Sequence, residues 1–215
     1  GSKNVDANQF GYKIDATSRS NYLFNSGISG IEESDLCLLV GANPREVAPV
    51  LNARIGKMVR NGRLNVGRVG QVDDQTYPIE ELGSDLSVLE SLLAGKGEFA
   101  KKMKAANKPM IIIGDGVLTR SDSHGILSLL HDIAEKYDVA SSKWNGFNIL
   151  HNHASMVASL DLGFYSGKNG CGTSDILKAT REGKINVLYL LAADDIDISE
   201  IGKDCFVIYQ GHHGD

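Results

Sequence analysis

The chain has 215 residues, 42% hydrophobic and 23% charged, with a net charge of -5 and a pI of about 5.7. That is enough apolar material for an α/β domain with a sizeable core. No Lys/Arg run gives nucleic acid a basic footprint, and no apolar run approaches the ~20 residues of a membrane-spanning helix.

The three cysteines, Cys37, Cys171 and Cys205, stand singly. Cys37 and Cys205 fall inside apolar runs, so they read as buried thiols and fit a reducing compartment. An iron–sulfur cluster needs about four converging thiolates, usually with C-x₂-C spacing, which three isolated cysteines do not provide. Gly1-Ser2 reads as a cloning scar, and no signal peptide pattern follows it.

Residues 3–34 read as an irregular lead-in, rich in Asn, Ser and Gly, with one short helix near Tyr22-Leu23-Phe24. The organising stretch is Ser34–Met58. Leu36-Cys37-Leu38-Leu39-Val40 has the continuous apolar character of a strand buried on both faces. Gly41-Ala42 turns the chain. Asn43 is placed to cap a helix, with Pro44 at its first position and Glu46 three residues after the cap. Val47, Val50, Leu51, Ile55 and Met58 recur at helical spacing. Pro49 falls early enough to make the first turn irregular. In an open α/β sheet a turn of this kind lies at the carboxyl end of a strand, where ligands bind.

Leu64–Gly70 reads as a second strand with alternation, followed by a polar loop over Gln71–Gly83. Ser87-x-x-Glu90 predicts a capped helix ending at Gly95, and Glu98–Ala106 another. Lys108-Pro109 stops that helix. Met110-Ile111-Ile112-Ile113 is the clearest buried strand, closed by Gly114-Asp115-Gly116. Ser121 or Asp122 caps an amphipathic helix whose stripe is Ile126, Leu127, Leu130, Ile133, Ala134 and Tyr137. A short strand is expected at Val139–Trp144 and a helical turn or two at His153–Leu160. Gly163–Gly172 is a glycine-rich loop and Thr173–Glu182 a helix. Asn186–Leu191 and Cys205–Gln210 are two further strands, separated by an acidic segment. The alternation predicts an α/β fold, a largely parallel sheet with helices on both faces.

The run LLVGANPREVAPVLNARI resembles the signature of the large iron–sulfur subunit of NADH:quinone oxidoreductase, respiratory complex I. More closely, it resembles that subunit's C-terminal domain, related to the molybdopterin oxidoreductases. Arg19-Ser20-Asn21-Tyr22, Gly30–Asp35, Lys108-Pro109-Met110, Asn148–His151 and the closing Asp204–Asp215 carry the same likeness, so it covers nearly the whole chain. Mitochondrial and α-proteobacterial forms look nearest. The sequence departs from the family pattern at Gly56, where the family has Arg.

The resemblance implies a Rossmann-like, molybdopterin-oxidoreductase-like α/β domain over residues 35–215, truncated at its C-terminal end. It implies 2Fe-2S and 4Fe-4S clusters in the full-length subunit, none of them in this piece. It also implies a peripheral-arm location on the cytoplasmic face of a bacterial inner membrane, or the mitochondrial matrix side. Partners would be other peripheral-arm subunits, with no nucleic acid and no direct membrane insertion.

In the molybdopterin relatives, a G-x-N-P turn contacts the nucleotide end of the pterin cofactor. By position that assigns Gly41, Asn43, Pro44 and Arg45 to a candidate cofactor turn. Several departures favour a vestigial turn. Gly70-Gln71-Val72-Asp73 replaces the family's ribose-holding Asp-Pro. Asp194-Asp195 sets two carboxylates where relatives often repeat Gly-x-Asn, and would repel a pyrophosphate. No Ser or Cys stands in a metal-ligand context. The expected role is a non-catalytic scaffold. The alternative is an active cofactor-binding domain, for molybdopterin or a nucleotide. In that alternative Lys108–Gly116 also resembles the central domain of thiamine-diphosphate enzymes.

Other candidates are weaker. Gly62-x₄-Gly67 lacks the Gly-Lys-Ser/Thr of a phosphate loop, and no G-x-S-x-G elbow is present. His151-x-His153, His212-His213, and His124 with His131 supply too few convergent ligands for zinc. Asp194, Asp195 and Asp197 read as a solvated loop rather than a carboxylate pair for catalysis.

Overall fold

The computed structural model describes residues 2–153, 155–166 and 170–211. By its contacts the chain divides into two compact units, residues 12–154 and residues 1–11 with 155–215.

The larger unit is built on five short strands, β1 (Leu36–Val40), β2 (Asn65–Val69), β3 (Glu80–Gly83), β4 (Pro109–Ile113) and β5 (Phe147–Ile149). They lie in the order β3-β2-β1-β4-β5, every neighbour parallel. β1 and β4 are buried at all positions, because helices cover both faces, as their unbroken apolar sequence requires. On one face Cys37, Leu39, Val66, Met110 and Ile112 pack with Leu51, Ile55 and Met58 of a helix. On the other, Leu38 lies in register with Gly67 and Ile111. A side chain at Gly67 would place its Cβ 2.3 Å from the Phe99 ring, so the missing side chain is what lets α4 (Glu98–Ala105) lie close. Here α3 (Leu86–Leu93) and α6 (Ser123–Lys136) pack on each other, and the Tyr137 hydroxyl donates to Leu92 O at 2.7 Å. The expected α/β architecture is therefore borne out, and so is the apolar stripe of α6, buried throughout.

Local readings change in several places. The predicted first helix is two helices, α1 (Pro44–Val47) and α2 (Pro49–Arg60), broken at Ala48 with φ -143°. Pro49 has no N–H to continue the ladder. Within α2, Leu51, Ile55 and Met58 share one face and look into the core, while Val50, about 100° round the helix from Leu51, is 72% exposed. β2 does not alternate; it is buried from Val66 to Val69, Arg68 included. The polar loop after it ends in an edge strand, β3, whose Glu-Glu-Leu-Gly carries no apolar signal. Ser87 is not a cap, since α3 starts at Leu86 behind Asp85.

The strand expected at Val139–Trp144 shrinks to one bridge between Ala140 and Asn145, and β5 forms just beyond it. The lead-in holds two 3₁₀ turns, Arg19–Asn21 and Ile28–Glu32, in place of a helix at Tyr22–Phe24. It also seals the β5 edge. Ile149 N donates to Leu23 O at 3.0 Å, and Asn25 Nδ2 to Phe147 O at 2.5 Å. Buried Asn148 takes Ser26 N on its Oδ1 at 2.9 Å.

The smaller unit contains α7 (Ser155–Asp161), α8 (Thr173–Arg181), and a parallel pair, β6 (Val187–Leu191) with β7 (Phe206–Gln210). These two strands form their own sheet and do not join the five. Asp6 accepts Thr173 N and Thr173 Oγ1 at 2.8 and 3.0 Å, a carboxylate at a helix start where the dipole favours it. Leu188 and Leu190 pack on Ile176 of α8. Among the described residues no helix is long and apolar enough to cross a membrane.

Candidate functional site

The five-stranded order reverses between β1 and β4, and in such sheets the crevice at the carboxyl ends of those strands is the ligand position. The candidate turn falls there. Gly41, with φ +54°, carries β1 into the turn. The β4 loop meets it backbone to backbone. Gly116 N donates to Gly41 O at 3.0 Å and Gly114 N to Val40 O at 3.1 Å. A Cβ on Gly41 would sit 2.8 Å from Gly116 C, and one on Gly114 2.5 Å from Gly41 O. Thus Lys108–Gly116, which also resembles a thiamine-enzyme segment, is β4 with the loop that locks the β1 turn. A cleft of about 760 Å³ opens beside these loops, at the ends of β1, β2 and β4.

An anion at this turn would need free backbone N–H groups. Pro44 has none. Glu46 N donates to Asn43 Oδ1 at 3.3 Å, so Asn43 is the cap that the sequence predicts. Glu46 does not reach back to the cap backbone; its carboxylate accepts from Asn43 Nδ2 at 3.3 Å. Arg45 N donates to Gln75 Oε1 at 3.1 Å, and Gln75 Nε2 to Asn43 Oδ1 at 2.7 Å.

Gln75 is 1% exposed. It is held by Asn52 Nδ2 on its carbonyl at 3.2 Å, and Asn52 in turn takes the Tyr77 hydroxyl at 2.7 Å. Burial pushes the Tyr77 phenol well above its ordinary pKa. The loop also positions Asp74, on which the Arg45 guanidinium closes at 2.7 Å. The N–H groups of Arg45 and Glu46 and one guanidinium nitrogen of Arg45 are thereby met from within the chain.

Charge around the cleft follows the same pattern. Arg68 makes a two-pronged bond to Glu81, at 3.0 Å from Nε and 2.5 Å from the guanidinium tip, and also donates to Asp73 O at 2.8 Å. Its side chain is 3% exposed, which makes this the one deeply buried guanidinium pairing among the described ion pairs. Arg120 pairs with Asp122 at 2.7 Å through two nitrogens. Glu46, Asp73, Asp85 and Asp115 also line the cleft. A phosphate placed here would face four carboxylates and two cations already committed to other acids.

The remaining candidates do not converge. Asp194 accepts the Tyr209 hydroxyl at 2.6 Å. Asp197 caps the 3₁₀ turn Ile198–Glu200, and the Ser199 hydroxyl and N–H hold its carboxyl below the usual range. His124 is exposed, while His131 is an exposed ring stacked on Phe147, centroids 4.4 Å apart. His151 Nε2 lies 2.6 Å from Tyr22 O, a carbonyl that can only accept, and its Nδ1 is buried without a partner. His212-His213 and Gly167 of the glycine-rich loop lie outside the described residues. Cys37 is sealed, its thiol pushed up to about 12 by burial. Cys171 and Cys205 are only half-buried, a correction for Cys205, which sits where β7 begins rather than within it. Among the described residues no group of three or more His, Cys, Asp or Glu could hold a metal ion.

Sequence reasoning missed Arg68 and Gln75. Arg68 had a signal, a lone cation between Gly67 and Val69 of a strand, which calls for a buried acid. Gln75 had none.

A parallel 3-2-1-4-5 sheet with a Gly-x-Asn-Pro turn at its switch point defines the class, and the chain belongs to the molybdopterin oxidoreductase family, whose family model matches residues 1–215. Among curated relatives, the G subunit of NADH-quinone oxidoreductase from Rickettsia bellii (strain RML369-C) is 51% identical over 218 residues, covering 100% of this chain and 30% of the relative. The mitochondrial NADH-ubiquinone oxidoreductase 78 kDa subunit of Candida albicans is 43% identical over 222 residues, 100% of this chain and 28% of the relative. The NADH-ubiquinone oxidoreductase 75 kDa subunit of Reclinomonas americana is 45% identical over 197 residues, 92% and 28%. The resemblance read from the sequence is borne out. The chain spans about 30% of the length of the relatives it matches.

Proposed function

We propose that this chain is a scaffold domain within the large iron–sulfur subunit of a proton-translocating NADH:quinone oxidoreductase. The whole assembly would pass electrons from NADH through 2Fe-2S and 4Fe-4S clusters, held elsewhere in the subunit, to quinone. The observation that carries this reading is half identity, along the entire chain, to the NADH-quinone oxidoreductase relative from Rickettsia bellii. The domain would sit in the peripheral arm, on the cytoplasmic face of a bacterial inner membrane or the matrix side of a mitochondrial one, against other peripheral-arm subunits. Residues 35–215 would then be an incomplete molybdopterin-oxidoreductase-like domain, continued by further sequence.

A scaffold rather than a cofactor site is supported by the turn itself. The nucleotide end of a pterin cofactor does not fit Gly41, Asn43, Pro44 and Arg45 as they stand here. Gln75 takes the N–H of Arg45 and Asn43 that of Glu46, Asp74 takes the Arg45 guanidinium, and the cleft is lined with carboxylates. The test is Mo, W, Fe and Zn analysis of the purified chain, with fluorescence of any released pterin, followed by capture with the other subunits. An empty chain that captures them fits the scaffold. Stoichiometric pterin or metal would make Gly41–Glu46 a working site and overturn it.

A further inference from the structure

Among the described residues, the two strands of the smaller unit leave one sheet face uncovered. In register, Val187 stands beside Phe206 and Tyr189 beside Ile208. With Leu191 these five are 56%, 66%, 53%, 41% and 57% exposed. The opposite face is closed only over β6, by Ile176 and its neighbours, while Val207 and Tyr209 of β7 remain 39% and 43% exposed. Parallel sheets occur almost only with both faces covered, because their crossover connections lay helices on them. A lone two-stranded sheet is marginal in water. Strands that stay open to solvent are normally guarded by Lys, Pro or a bulge, and β7 (Phe206-Val207-Ile208-Tyr209-Gln210) has no Lys and no Pro.

We propose that the face formed by Val187, Tyr189, Leu191, Phe206 and Ile208 is an internal packing surface, seated under an amphipathic helical layer from another part of the same full-length polypeptide. This rests on reading the chain as part of a large subunit. The relatives leave ample chain to supply the layer, since this sequence accounts for only 30% of the first of them. The occupant is helical rather than a second copy of the sheet. Face-to-face stacking is the habit of antiparallel sandwiches, whereas a parallel pair takes helices. The face is also without charge, so its cover presents an apolar stripe.

The test places Val187→Cys or Ile208→Cys in a background with Cys171→Ser and Cys205→Ser. Cys37 is sealed and stays silent. Maleimide labelling of the introduced cysteine, read at that peptide by mass spectrometry, is then followed in residues 1–215 and in the full-length subunit. The expected result is rapid labelling of the short chain and on the order of a hundredfold slower labelling of the full-length protein, where the thiol is reached only by local opening. Equal rates in both overturn the proposal. Protection in the short chain that grows with its concentration also overturns it, assigning the face to a second copy. Assembly with the other subunits is scored separately by co-purification. Loss of assembly with protection intact counts against the functional reading alone.

Discussion

At the scale of single residues, Gln75 is the test of how the turn is satisfied. Gln75→Ala strips the acceptor from Arg45 N and the donor from Asn43 Oδ1 in a buried setting, so a loss of about 1–3 kcal/mol is expected in urea unfolding. Gln75→Glu is more discriminating. It keeps an acceptor for Arg45 N but sets a carboxylate against Asn43 Oδ1, at present 2.7 Å from the amide nitrogen. That variant should be weakest near pH 7 and recover relative to wild type toward about pH 4, where the carboxyl regains a proton to donate.

His151 supplies a second pH test. Burial pushes its pKa below the ordinary value, opposed by the bond to Tyr22 O. Above about pH 7.5 the ring is neutral in both states and stability is full. As pH falls through the unfolded value only the unfolded chain takes up the proton, so stability is lost. The urea midpoint should drop between about pH 7.5 and about pH 5.5, and less steeply in His151→Gln. Asp35 acts lower. Burial raises its pKa, yet Asn107 N, Lys108 N and Asn107 Nδ2 outweigh this and hold it below the usual range. Its contribution is present above the unfolded carboxylate pKa of about 3.9 and fades as pH falls below it.

Among elements, the lead-in acts as a lid on the last strand of the large sheet. Removing residues 12–27 would uncover the β5 backbone that now pairs with Leu23, Phe24 and Asn25. An uncovered edge is a template for intermolecular pairing, so the truncated chain should show concentration-dependent light scattering that the intact chain lacks. This role was not legible in the sequence. An irregular, polar stretch shows no periodicity, and its partner lies more than 120 positions away. The elements that were legible are those whose physics is local: β1 and β4 by their unbroken apolar runs, α6 by its stripe, and the Asn43-Pro44 cap by its spacing. Val50 went wrong because it stands about 100° round α2 from Leu51, off the face that Leu51, Ile55 and Met58 share. β3 was missed because an edge strand buries too little to select apolar residues. A Cβ on Gly56 would lie 2.9 Å from the Tyr77 ring. That ring leads to the Asn52–Gln75 network, so Gly56 lies against the residues that close the turn.

For the whole molecule, the two units should open at very different free energies. β4 is buried at every position between two neighbours, so its amides exchange only when apolar surface on both sides of the sheet is exposed. β7 is exposed at every position and pairs on one side only. Local openings span from near zero to the global stability, and these strands occupy the two ends of that range. Native-state hydrogen exchange should therefore find Ile111, Ile112 and Ile113 among the slowest amides, and the β7 amides faster by several orders of magnitude. If β7 matched β4 in the isolated chain, its exposed faces would have to be covered, and by nothing the chain itself provides within that pair. Repeating the measurement in the full-length subunit separates the causes. The β4 rates should stay where they are, because their burial is complete within residues 12–154. The β7 rates should fall, because the apolar side chains of that strand gain their cover only there.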